Sequence, residues 1–144
     1  MDYEKLAAEL FDAMGALRRL KAHKDIESAL QGAEFILFLI ACHDGYVLPS
    51  EISQQMNVST ARVASALNTL EKKGLITREI DPKDRRQILV AATQGGKELA
   101  EECQNAVQGI AAKMLELLGE HDAREYVRIT RRLADLISGC DEFL

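Results

Sequence analysis

Tryptophan is absent from this chain, and tyrosine and phenylalanine bring the aromatic share to only 5% of 144 residues. Ala, Leu, Glu, Lys and Arg dominate instead, a mixture that favours a mainly helical protein with long solvated faces. Cysteine occurs three times, at Cys42, Cys103 and Cys140. An odd number at such distances excludes a disulfide framework and a CxxC metal or redox pair. His23, His43 and His121 are equally scattered. The adjacent Cys42 and His43 would point about 100° apart on a helix. They read as a core thiol beside a helix-end imidazole at the negative pole of the helix dipole. No long hydrophobic run is present either. The longest, Phe35 to Cys42, falls far short of the roughly 20 residues that span a bilayer. The opening MDYEKLAAEL lacks the features of a signal peptide, so a cytoplasmic protein without membrane contact is expected. GxSxG, HExxH, P-loop and strand-linked GxGxxG patterns are missing, and no lysine stands at Walker spacing around Gly95-Gly96. The chain is therefore expected to be no enzyme and to carry neither cofactor nor metal.

What is present suits one domain, residues 1–144, with an apolar share of 47% to fill its core. Asp2 to Lys21 places Leu6, Leu10, Met14 and Leu17 on one stripe of an amphipathic helix. After a polar joint at His23 to Asp25 comes a second helical stretch, whose end, Phe35 to Ile40, is apolar on nearly every side. Such a helix must be covered all round and is predicted to be central. Asp44-Gly45 stops it.

From Pro49 the pieces become short. Pro49, Ser50 and Glu51 suit a first helical turn, with Ile52 and Met56 as an apolar pair before Asn57. Ser59 caps a second helix, Thr60 to Lys73, with Val63, Leu67 and Leu70 inward, Lys72 and Lys73 at the C-terminus, and Gly74 following it. The pair reads as a helix-turn-helix. Leu75 to Ile80 and Gln87 to Ala92 then alternate like strands. Asp81 to Arg86 becomes a hairpin tip, with Pro82 fixing the turn. The fold class is therefore mainly α, an α+β winged helix-turn-helix with a two-stranded wing. Thr93 is expected to cap a long helix from Gln94 to Leu118, carrying Leu99, Cys103, Val107, Ile110, Met114 and Leu117 on one face. Gly119 ends it, and a last helix runs from Asp122 to Ile137. Residues 1–45 and 94–144 are read as dimerisation helices around a DNA-binding part at 46–93, because their apolar stripes need a partner and a second copy is the simplest one.

The charge of −5 is unevenly spread. Pro49 to Thr93 holds seven cationic and five acidic side chains, a net of +2, against eleven and eighteen elsewhere, a net of −7. Phosphates attract this segment and are repelled by the remainder, which orients an encounter with double-stranded DNA. In the loop, Lys83, Arg85 and Arg86 can reach a neighbouring groove while the second short helix occupies the major groove. Asp84, two residues before Arg86, is placed to hold its guanidinium. On that helix, Ser59, Thr60, Ala61, Arg62, Ser65 and Thr69 form the candidate reading face. Arg62 is its guanine reader, the hydroxyls suit bases or phosphates, and Ala61 suits a thymine methyl. A single basic residue points to modest or shape-based specificity.

Val58 to Gly96 resembles the MarR family of transcription regulators, most specifically in Leu70-Glu71-Lys72-Lys73-Gly74-Leu75-Ile76, Arg78, Asp81, Asp84-Arg85-Arg86, Thr93 and Gly96. The resemblance extends in pattern over nearly the whole chain. It implies a homodimer joined through its first and last helices, a winged helix in each subunit, and a repressor of a pseudo-palindromic operator. Asp84 and Arg86 would be the wing's Asp-x-Arg pair, with Arg86 in the minor groove. A small aromatic effector would release the DNA from a pocket that draws on Met14, Phe35, Phe38 and the helix after Thr93. Two departures stand out: Ser65 and Thr69 occupy positions that are often basic in the family, and the first helix lacks the cysteine of the peroxide-sensing branch. Two rivals remain, a winged helix that contacts protein and a thiol-responsive regulator. DNA binding through several phosphates weakens steeply with salt, whereas an apolar protein contact barely changes.

Overall fold

The computed structural model describes residues 1–140. Five helices, α1 (Tyr3–Arg18), α2 (Lys21–Gln31), α3 (Ala33–Ala41), α4 (Pro49–Met56) and α5 (Thr60–Lys72), precede strands β1 (Ile76–Ile80) and β2 (Ile88–Ala92) and a last helix, α6 (Gln94–Ser138). The result is mostly helical with one two-stranded antiparallel sheet, the class the sequence predicts. Residues 1–107 form one compact unit and the residues from 108 onward another.

In the first unit, the Asp2 carboxylate caps α1 by accepting from the Lys5 amide at 3.1 Å. The expected joint at His23 to Asp25 is not there, since these residues lie inside α2. Charged side chains on a solvated face do not interrupt a helix, and His23 and Glu27 face each other one turn apart, 3.7 Å between Nδ1 and Oε1. The breaks fall where the backbone becomes extended, at Leu20 (φ −78°, ψ 139°) and at Gly32 (φ −86°, ψ −174°). Three helices thus stand where the periodicity suggested two.

The third of them is central, as its all-round apolarity requires. Ile36, Leu37 and Ile40 are buried against Ile52 of α4, Val63, Leu67 and Leu70 of α5, and Ile76 and Val90 of the strands. Each of these aliphatic side chains contributes about 2 kcal/mol on leaving water. Cys42 departs from expectation. It is the exposed C-cap of α3 rather than a core thiol, because it follows the last buried turn of that helix. His43 behaves as predicted, its Nδ1 lying 2.7 Å from the Leu39 carbonyl at the helix end.

The helix-turn-helix is built by short-range contacts. Pro49 opens α4, where the Glu51 carboxylate accepts from the Leu48 amide at 3.0 Å. Asn57 adopts a left-handed conformation (φ 51°, ψ 47°), one that Asn tolerates better than most residues. The Ser53 hydroxyl donates to the Val58 carbonyl at 2.6 Å, and Ser59 caps α5 by accepting from the Arg62 amide at 3.2 Å. β1 and β2 pair from Ile76↔Ala92 to Ile80↔Ile88. Val47 adds a bridge the sequence did not announce, exchanging backbone hydrogen bonds of 2.8 and 2.9 Å with Val90. Thr93 joins wing to α6, its hydroxyl donating to the Gly74 carbonyl at 2.8 Å and accepting from the Gly96 amide at 3.0 Å.

In the second unit the helical path breaks where expected, at Gly119 (φ 76°, ψ 163°), in a region open almost only to glycine. The helix resumes directly at Glu120, two residues before Asp122, and reaches Ser138. Among the described residues, no helix is long and apolar enough to cross a membrane.

Candidate nucleic-acid interface

Burial of Val63, Leu67 and Leu70 fixes how α5 is turned. At about 100° per residue, the positions opposite that stripe are Ala61, Ser65, Asn68 and Lys72, all exposed. Of the residues chosen from sequence, Ala61 and Ser65 lie on this outermost line. Ser59 and Thr60 stand at the helix start, and Arg62 and Thr69 lie on one flank. Asn68 and Lys72 are additions. Asn68 brings an amide of the type that pairs with adenine, and Lys72 brings a cation. Helical-wheel arithmetic from the three apolar residues would have found both.

Arg62 is differently engaged than its residue type suggested. From the flank of α5 its guanidinium Nη2 donates to the Gln31 carbonyl at the end of α2, at 3.1 Å. Thr69 likewise turns its hydroxyl back on its own helix, 3.3 Å from the Ser65 carbonyl.

The wing tip is organised by its carboxylates. Asp81 accepts from the Lys83 amide at 2.9 Å. Asp84 Oδ1 accepts from both the amide and Nε of Arg86, at 3.1 and 3.2 Å. The Arg86 side chain is 92% exposed, so this hold aims it outward without burying it. Arg85 and Lys83 are exposed beside it. At the wing base, Arg78 forms a two-pronged pair with Glu71 of α5, both bonds 3.0 Å. These hydrogen bonds hold the Glu71 carboxyl below its ordinary range and raise Arg78 above its own. Arg78 is thus committed to fixing the wing on α5. Tyr46 adds a hydrogen bond of 3.3 Å to Glu79.

A pocket of about 360 Å³ opens beside Arg62, lined further by Leu30, Gln31, Phe35, Gln55, Met56 and Val58. Of the residues considered for an effector, Phe35 lines it and Met14 and Phe38 do not. Phe38 instead stacks on Phe35, with ring centroids 6.0 Å apart. Cys103 is half-buried, and burial pushes its thiol up, away from the thiolate.

Known proteins share this arrangement. The profile of the MarR family matches residues 33–88, from the central helix to the first residue of β2. The HTH-type transcriptional regulator YwhA of Bacillus subtilis is 28% identical over 140 residues, 93% of this chain and 99% of that protein. The HTH-type transcriptional repressor MdtR of the same organism is 34% identical over 100 residues, covering 69% of this chain and 64% of that one. Among solved structures, the YusO protein from Bacillus subtilis superposes with a TM-score of 0.71 at 28% identity, over 94% of this chain and 99% of the other. With the helix-turn-helix, the wing and these relatives in agreement, the chain belongs to the MarR family of winged-helix transcriptional regulators.

Proposed function

We propose that this protein is a homodimeric repressor of a pseudo-palindromic operator, released by a small aromatic effector. Residues 1–45 and 94–144 serve as the dimerisation scaffold and 46–93 as the DNA-binding part. Ser59, Thr60, Ala61, Ser65, Asn68 and Thr69 face the major groove, and Lys83, Asp84, Arg85 and Arg86 face the adjoining minor groove and its phosphates. The observation that carries this reading is the wing tip, where Asp84 orients a guanidinium that is 92% exposed. A charge held in place yet turned to solvent is preorganised for an anion. Dimerisation is supported by the exposed apolar stripe Leu6, Leu10, Phe11, Met14 and Leu17 on α1 and by Leu133 and Leu136 on α6. The repressor role draws on MdtR, which is named as one. Such a protein acts in the cytoplasm, where its operator is.

Selection from a random duplex library, followed by titration at several salt concentrations, tests the proposal. An inverted repeat with half-sites about 10 base pairs apart and a steep salt slope is expected. A second reading, contact with a protein partner, is favoured by the exposed cross-strand pair Ile80 and Ile88 on the wing. It predicts no enriched duplex and binding that salt barely alters.

A further inference from the structure

We infer that α2 is a spacer tied along one face of its C-terminal half, to α1 through Arg18 and to α5 through Arg62, and that Arg62 sets half-site spacing instead of reading a base. The inference rests on the proposed operator-binding dimer and names a positioning role within it. Glu27 and Gln31 lie one turn apart on the same face of α2. Arg18, the last residue of α1, approaches the Glu27 carboxylate at 3.7 Å, and Arg62 donates to the Gln31 carbonyl at 3.1 Å.

The second tie answers needs at both of its ends. Gln31 is the last residue of α2, so its carbonyl lacks an intrahelical partner and sits at the negative pole of that helix. Arg62 lies in the first turn of α5, where the helix dipole disfavours a cation. Joining them satisfies the carbonyl and removes the electrostatic conflict. It also fastens the N-terminal turn of α5, the end that approaches base edges in a helix-turn-helix, to the helix next to the apolar stripe of α1. Adding one base pair between half-sites displaces them by about 3.4 Å and rotates one by roughly 34°. A fastened reading helix cannot follow that movement.

The test uses the full-length protein and the selected operator, with variants carrying one base pair more or less between half-sites and variants with single base changes. Wild type should lose roughly tenfold or more in affinity on either altered spacing, a penalty of the size of a mismatch. Arg62→Ala should bind all spacings within about threefold of one another while keeping every base penalty. Arg62→Lys, whose ammonium can still meet the carbonyl, should recover the discrimination. In the free protein, the Gly32 amide at the end of α2 should exchange faster in Arg62→Ala than in wild type or Arg62→Lys. A base penalty flattened at one position with spacing discrimination intact would overturn the inference and make Arg62 a base reader. Failure of wild type to select any duplex would overturn the operator reading and the spacing role with it. Unchanged amide exchange would remove the tie itself.

Discussion

At the scale of single residues, the wing separates charge from orientation. Arg86→Ala removes a cation from the phosphate field, so operator affinity should fall across sequences and the salt slope should shrink by about one. Asp84→Ala leaves Arg86 charged but loosens it, so affinity should fall without a smaller slope. Matched titrations of the two variants distinguish these effects, and identical slopes would contradict the orienting role of Asp84. At the wing base, Glu71 has a folded pKa below its ordinary 4.5 because Arg78 donates to it. The stabilising effect of that pair is present above the ordinary value and fades as pH falls through the depressed one. Glu71→Gln should therefore lower the thermal midpoint slightly at neutral pH, and the difference should close in acid. A constant gap down to low pH would assign the effect to something other than ionisation.

Gly96 makes a third residue-level case. A Cβ built there would collide with the Leu75 carbonyl oxygen, whereas at neighbouring Gly95 the nearest atom is 3.9 Å away. Gly96→Ala must push the start of α6 off the wing, a strain of about 3 kcal/mol or more. Gly95→Ala should be neutral or mildly stabilising. Denaturant titration of both variants checks the pair, and equal stabilities would mean that the close approach is not maintained in solution.

At the scale of elements, sequence reading succeeded where a residue type fixes its own backbone. Pro49, Ser59, Gly74, Thr93 and Gly119 all mark the boundaries expected of them. It failed where the determinant was not local. The polar run His23 to Asp25 resembles a joint, yet a solvated charged face is compatible with helix, and the breaks fall at Leu20 and Gly32. The bridge between Val47 and Val90 joins residues far apart in the chain and leaves no periodic trace. The candidate site was legible to the same degree. Its wing geometry follows from Asp84 and Arg86 standing two residues apart, whereas the partner of Arg62 lies on another helix altogether.

At the scale of the whole molecule, apolar surface is the feature left to account for. Phe11 is 74% exposed and Leu10 59% on α1, while Leu133 and Leu136 are exposed on α6. A symmetric interface buries each such residue twice, so Leu10→Glu should raise the dimer dissociation constant by roughly a hundredfold or more, about 3 kcal/mol over both copies. Sedimentation at several concentrations reads this directly. A wild-type chain that sediments as a monomer would remove the proposed scaffold.

The sequence by itself determined the order of elements from α4 onward, the inward face of α5, the caps and the charged wing, because each depends on side-chain type and on spacing within a few residues. Only the tertiary structure decided that Cys42 is exposed, that Arg78 is bound to Glu71, and that Arg62 turns towards α2. Those outcomes depend on which helix end or carboxylate lies within reach once the chain has folded. A hydrogen bond acts over about 3 Å, and spacing along the chain does not say what has been brought that close.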